Sequence, residues 1–161
     1  MRYVKIEALV PFADPDQVFA RISDFPRYKD YTEAVREIKV TAELDRATLS
    51  EWSVYFRNGI LCWTERDEID SEQRTIDFEQ LDGDFDKFSG TWTVTPVGHD
   101  VRVVFTASFD LGMPSLAGII DPIAEHTLRE NMCSILRGLL GPGVKFLDGN
   151  AQIPVTESVE R

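Results

Sequence analysis

The spacing of turns between residues 35 and 111 limits the fold more than any other feature. Six segments rich in β-branched and aromatic residues read as strands: Val35–Ala42, Ala47–Phe56, Ile60–Ile69, Arg74–Leu81, Phe85–Val97 and Val101–Leu111. Short polar stretches separate them: Glu43-Leu44-Asp45, Asn58-Gly59, Asp70-Ser71-Glu72-Gln73, Asp82-Gly83-Asp84 and Gly98-His99-Asp100. Links this short cannot carry a crossover, so neighbouring strands must run antiparallel. Asn58-Gly59 is the clearest turn, because a tight hairpin needs positive φ at both central residues.

Before this meander, Tyr3–Val10 alternates and reads as one more strand. Asp14-Pro15-Asp16-Gln17 then opens a helix, with Asp14 as N-cap, Pro15 at the first position and Gln17 at capping-box spacing. Val18, Phe19 and Ile22 form its apolar side, Ser23-Asp24-Phe25-Pro26 breaks it, and Phe25–Tyr31 reads as a second short helical turn. After the meander, Pro114–Gly141 reads as one long amphipathic helix, with Leu116, Ile120, Ile123, Ala124, Leu128, Ile135 and Leu139 at threes and fours. Asp121-Pro122 inside it is either an N-cap with first-turn proline or a kink, and Gly138, Gly141 and Pro142 read as stop signals. The plan is α+β: a curved antiparallel sheet of about seven strands around the last helix, with two short helices after the first strand. Residues 1–147 are expected to form one domain and residues 148–161 a polar tail.

A length of 161 residues suits one domain with a real core, and a formal net charge of −11 disfavours nucleic acid and anionic membranes as partners. The apolar runs are too short to insert into a bilayer. The two cysteines, Cys62 and Cys133, fit no metal spacing and are expected as buried free thiols in a reducing cytoplasm. Neither a metal nor a cofactor is expected.

Alternation assigns inward faces to most strands. Trp52, Val54 and Phe56 share one; Phe88, Gly90, Trp92 and Val94 another; Val101, Val103, Phe105, Ala107 and Phe109 a third; and Ile76 and Phe78 point in with Gln80 behind them. The segment Ile60–Ile69 stays open. With Ile60 and Cys62 inward, Thr64 and Arg66 follow them; with Leu61 and Trp63 inward, Glu65 becomes the buried charge. Arg66 therefore either pairs with Asp67, Glu68 or Asp77 at the surface, or points into a cavity as a cationic fork for a carbonyl or enolate oxygen. On the long helix, Thr127, Asn131 and Ser134 fall within the apolar stripe. They either bond locally or face a ligand-lined cavity.

The order of elements, together with Trp63-Thr64-Glu65-Arg66-Asp67 and Phe85-Asp86-Lys87-Phe88-Ser89-Gly90-Thr91-Trp92, resembles the START/Bet v 1-like helix-grip superfamily. Within it the chain is most similar to the polyketide aromatase/cyclase and coenzyme Q-binding branches, over about Tyr3–Leu147. The resemblance implies a deep pocket between sheet and helix for a polyketide or quinone-like hydrophobic ligand. For a cyclase it implies ring closure and loss of water without a cofactor, on a substrate presented by an acyl carrier protein. Arg66 maps onto the cavity arginine of that group and would be the catalytic oxyanion partner. Tyr28, Tyr31, Thr64, Gln80, Ile123, Thr127 and Asn131 would position the ligand, and Trp52, Val54, Phe56, Phe78, Phe88, Trp92 and Phe105 would form the wall. The other function compatible with the resemblance is a non-catalytic carrier of a quinone or lipid.

Overall fold

The computed structural model describes residues 1–56, 59–111 and 117–147, with the side chains of 117–122 and 124 left aside. Strand β1 (Arg2–Val10) leads into α1 (Pro15–Ser23), a single 3-10 turn (Phe25–Arg27) and α2 (Tyr28–Tyr31). Strands β2 (Val35–Glu43), β3 (Thr48–Phe56), β4 (Gly59–Asp70), β5 (Thr75–Gly83), β6 (Lys87–Val97) and β7 (Asp100–Asp110) follow as a meander. Helix α3 (Ala117–Leu140) and the short β8 (Lys145–Phe146) end the described chain. All strand pairs are antiparallel, in the order β2-β3-β4-β5-β6-β7-β1-β8.

Among the described residues the sheet has eight strands, close to the seven or so expected. The extra one pairs Phe146 with Ala8 and Lys145 with Leu9, and Leu147 N–H donates to the Glu7 carbonyl at 2.9 Å. Two residues are too short a signal for alternation to register. The polar tail expected at 148–161 lies outside the described residues, as does Asn58 of the Asn58-Gly59 turn; Gly59 itself opens β4 opposite Phe56.

Local chemistry sets the start of α1 as expected: the Asp14 carboxylate accepts the Gln17 N–H at 3.1 Å, and Pro15 occupies the first turn. Helix α3 runs unbroken through Asp121–Pro122. Nor does Gly138 end it, since the helix continues to Leu140. A Cβ at Gly138 would sit 2.2 Å from the Tyr31 carbonyl oxygen, so this glycine lets α3 close against α2.

The concave side of the sheet and α3 enclose one core. Strand β7 gives it Val101, Val103, Phe105, Ala107 and Phe109, and β6 gives Phe88, Trp92 and Val94. Gly90 lies between them because a Cβ there would come within 2.0 Å of the Thr106 carbonyl of β7. From α3 the buried set is Leu128, Met132, Cys133, Ile135, Leu136 and Leu139. Cys133 is buried and its thiol is pushed up to about 11 by that burial, whereas Cys62 is exposed on the outer face, against expectation. Among the described residues no helix is long and apolar enough to cross a membrane.

Candidate functional site

Between the middle of the sheet and α3 lies a narrow apolar cavity of about 30 Å³, lined by Trp52, Val54, Trp63, Glu65, Phe78, Phe88, Trp92, Phe105, Leu128, Asn131, Met132 and Ile135. That is room for about one water molecule. Its aromatic wall is continuous: Trp52 stacks on Trp63 at 5.6 Å, Trp63 meets Phe88 edge-on at 5.2 Å, and Phe78 stacks on Phe105 at 5.9 Å. Seven of the expected binding residues line it: Trp52, Val54, Phe78, Phe88, Trp92, Phe105 and Asn131.

Strand β4 faces inward with its odd-numbered residues. Trp63, Glu65 and Asp67 are buried, the carboxylates at 3% and 0% exposure, while Thr64 and Arg66 lie on the convex face. Arg66 is therefore not the cavity cation expected of it. Its side chain is 40% exposed and pairs with Glu68 on the same outer row. Thr64 borders a solvent-open groove of about 410 Å³ on that face, with Arg36, Lys39, Cys62 and Asp84 among its neighbours. The groove is larger than the interior cavity, but it mixes both charge signs and shares only Trp52 and Trp63 with the aromatic wall.

Other expected ligand contacts are spent on packing. Tyr28 is fully buried, donates its hydroxyl to the Ile22 carbonyl, and packs edge-on to Trp52 at 5.7 Å. Tyr31 lies under the Arg21 guanidinium at 5.0 Å, away from the cavity. Gln80 is consumed by the Phe85 backbone, donating to its carbonyl at 2.9 Å and accepting its N–H at 3.3 Å. Phe56 and Thr127 are half-buried but outside the cavity wall, and Ile123 is 44% exposed. Ser134 is exposed and meets the Thr32 hydroxyl at 3.3 Å, so this polar stripe residue bonds to the neighbouring loop. Asn131 joins both expectations. It lines the cavity and donates its amide to the Tyr55 carbonyl at 2.7 Å, tying α3 to the end of β3.

The buried carboxyl pair forms the polar corner of the cavity. Trp63 Nε1–H donates to Glu65 Oε1 at 2.7 Å. Trp52 Nε1–H donates to Ser50 Oγ at 2.8 Å, and the Ser50 hydroxyl donates to Asp67 Oδ2 at 2.6 Å. The two carboxyls sit at successive inward positions of β4, within reach of a shared proton, and two acids buried this close disfavour double ionisation. Burial holds the Glu65 carboxyl well above the usual carboxylate range, and the bond to Asp67 pushes it the same way. Burial also raises Asp67, but the bonds from Glu65 and Ser50 oppose that rise. Both carboxyls are thus shifted towards the neutral form. Asp67 Oδ1 meets no N–H or hydroxyl donor.

Pairing explains how these groups converge. In the β3–β4 register Trp52 faces Trp63, Ser50 faces Glu65 and Thr48 faces Asp67, so one inward row holds both indoles, the hydroxyl and both acids. A bulge in β5 opposite Thr64–Glu65 shifts its pairing from Asp82 to Gln80 at that point.

A family model described as polyketide cyclase / dehydrase and lipid transport matches residues 12–135. The chain belongs to that family. It is the one expected from the Trp63–Asp67 and Gly90–Trp92 stretches. The crystal structure of TTHA0849 from Thermus thermophilus superposes with a TM-score of 0.80 at 31% identity, over 86% of this chain and 94% of that one. Similarity of fold extends to the Zhui aromatase/cyclase from Streptomyces sp. R1128, with a TM-score of 0.73 at 21% identity over 86% and 91% of the two chains. It extends also to a START superfamily protein from Mycobacterium smegmatis, with a TM-score of 0.73 at 17% identity over 86% and 96%. No curated protein matches the chain.

Proposed function

We propose that the protein takes a hydrophobic polyketide-type molecule between its sheet and α3 and promotes ring closure with loss of water. One observation carries this reading: a carboxylic acid, Glu65, faces a cavity lined, apart from Asn131, by aromatic and apolar side chains. Loss of water from a β-hydroxy ketone needs a proton for the departing hydroxyl and a base for the α-hydrogen. Glu65 supplies the first as an acid and, once ionised, takes the second, so the pair ends the cycle with the proton it began with. Kinship with a family of polyketide cyclases and dehydrases supports the substrate class. Entry of a ring compound requires the α3 wall to yield, and Met132 is the adaptable side chain there.

The outward position of Arg66 favours a second reading, a carrier that performs no chemistry, since a carrier of neutral lipid needs no buried cation. The two are separated by incubating a linear poly-β-ketone thioester with wild type and with Glu65→Gln, and resolving the products by mass spectrometry. The enzyme reading expects a cyclised, dehydrated product whose yield falls about a hundredfold in the variant. A bound but unchanged thioester in both would leave the carrier.

A further inference from the structure

The carboxyl pair also bears on which ligands the cavity admits. Glu65 reaches the cavity wall, whereas Asp67 lies one inward position further along β4 and does not line it. Three hydrogen bonds tie the pair to its surroundings: Trp63 Nε1–H serves Glu65, Ser50 Oγ–H serves Asp67, and Trp52 Nε1–H serves Ser50. Among the described residues no Lys, Arg or His lines the cavity, and none is among the groups acting on either carboxyl. Another ionisable group nearby is Tyr28 from α2, whose hydroxyl is committed to the Ile22 carbonyl and is held neutral chiefly by burial. This corner of the cavity thus holds two buried acids side by side, with no cation beside them among the described residues.

We propose that Glu65 and Asp67 together determine ligand specificity: they hold one proton between them, and the pair admits uncharged ring ketones while excluding carboxylates. The inference rests on the binding reading above and narrows its substrate class. A ketone oxygen brings lone pairs to a site that has a proton to share. A carboxylate of the same size brings a second negative charge to a buried anion with no cation to offset it, and like charges juxtaposed in a low dielectric repel strongly. Fatty acids and other ionised acids are poor ligands on this account, whatever their apolar area. Asp67 acts by its charge, from behind Glu65 and outside the cavity lining.

The test uses two probes of matched shape, 2-acetylnaphthalene and 2-naphthoate, titrated at neutral pH and followed by quenching of tryptophan fluorescence. Wild type is expected to bind the ketone more tightly by about tenfold or more, the ratio equivalent to about 1.4 kcal/mol. Glu65→Gln keeps that preference, because the amide reproduces the neutral donor and leaves Asp67 ionised. The double variant Glu65→Gln/Asp67→Asn removes the charge and is expected to bring the two affinities within about threefold. Equal affinities in wild type, or a preference undiminished in a folded double variant, would overturn the proposal while leaving the binding reading intact. If the double variant does not fold, wild type and Glu65→Gln decide: equal probe affinities in either overturn it. Failure of both probes to bind wild type would sink the binding reading, and the proposal with it.

Discussion

Strands β4 and β7 present the same concave surface to the same helix, yet they fill it differently. The inner row of β7 is hydrocarbon throughout, Val101, Val103, Phe105, Ala107 and Phe109, all nearly inaccessible. The inner row of β4 begins in the same way with Leu61 and Trp63 and then turns to Glu65 and Asp67. An all-apolar row is what burial alone selects. Two buried acids side by side carry a desolvation cost that burial alone never selects, so β4 is where stability has been given up for something else. The hydrogen bonds from Trp63 and Ser50 limit that cost without removing it.

This contrast is open to attack by substitution. The largest effect is expected from Trp63→Ala, which deletes a stacked indole and the Glu65 donor together; denaturant unfolding should show a loss of about 3–5 kcal/mol. Phe105→Ala on β7 should lose a comparable amount, and its loss should not depend on pH. Asp67→Ala strands the Ser50 hydroxyl and the shared proton, and the same measurement should give a loss of about 1–3 kcal/mol.

Glu65→Gln should differ from both in its pH profile. The folded-state value of Glu65 lies above its ordinary 4.5, so the folded protein holds a proton that the unfolded chain releases. Wild-type stability should therefore be highest below about 4.5 as far as this group is concerned, and should fall as pH rises towards the raised value. The variant lacks that proton and should lose this part of the slope, gaining on wild type as the solution becomes alkaline. A parallel pair of stability curves would contradict the assignment. At the small end, Arg66→Ala on the outer face should change stability by less than about 0.5 kcal/mol and leave probe binding unchanged.

The inward direction of Glu65 was readable from the chain, although alternation within β4 alone left both registers open. With Trp52, Val54 and Phe56 inward on β3, a two-residue hairpin pairs even-numbered β3 residues with odd-numbered β4 residues, and paired residues share a face. Trp63, Glu65 and Asp67 follow, and Arg66 is sent outside, as the Trp52–Trp63 and Ser50–Glu65 pairs show. The strand meander, the α1 cap and the apolar rows of β6 and β7 were legible because each rests on a local rule. The stripe of α3 was less so. Helical spacing includes Ser134 and Ile123, but both are exposed, and the buried set takes in Met132, Cys133 and Leu136. Which side of a helix is covered depends on where α2 and the sheet end, and no local pattern carries that. The local partners of Tyr28 and Gln80 were hidden for the same reason: their bonds go to Ile22 and Phe85, through turn geometry that residue type does not specify.

The central claim is that a neutral carboxylic acid stands in the cavity wall at neutral pH. The most direct measurement is the infrared difference spectrum between wild type and Glu65→Gln in that range. A protonated-carboxyl carbonyl band present in wild type and missing from the variant is the result predicted here. If wild type shows only ionised carboxylate bands, Glu65 and Asp67 are both charged, and the acid assigned to this site does not exist.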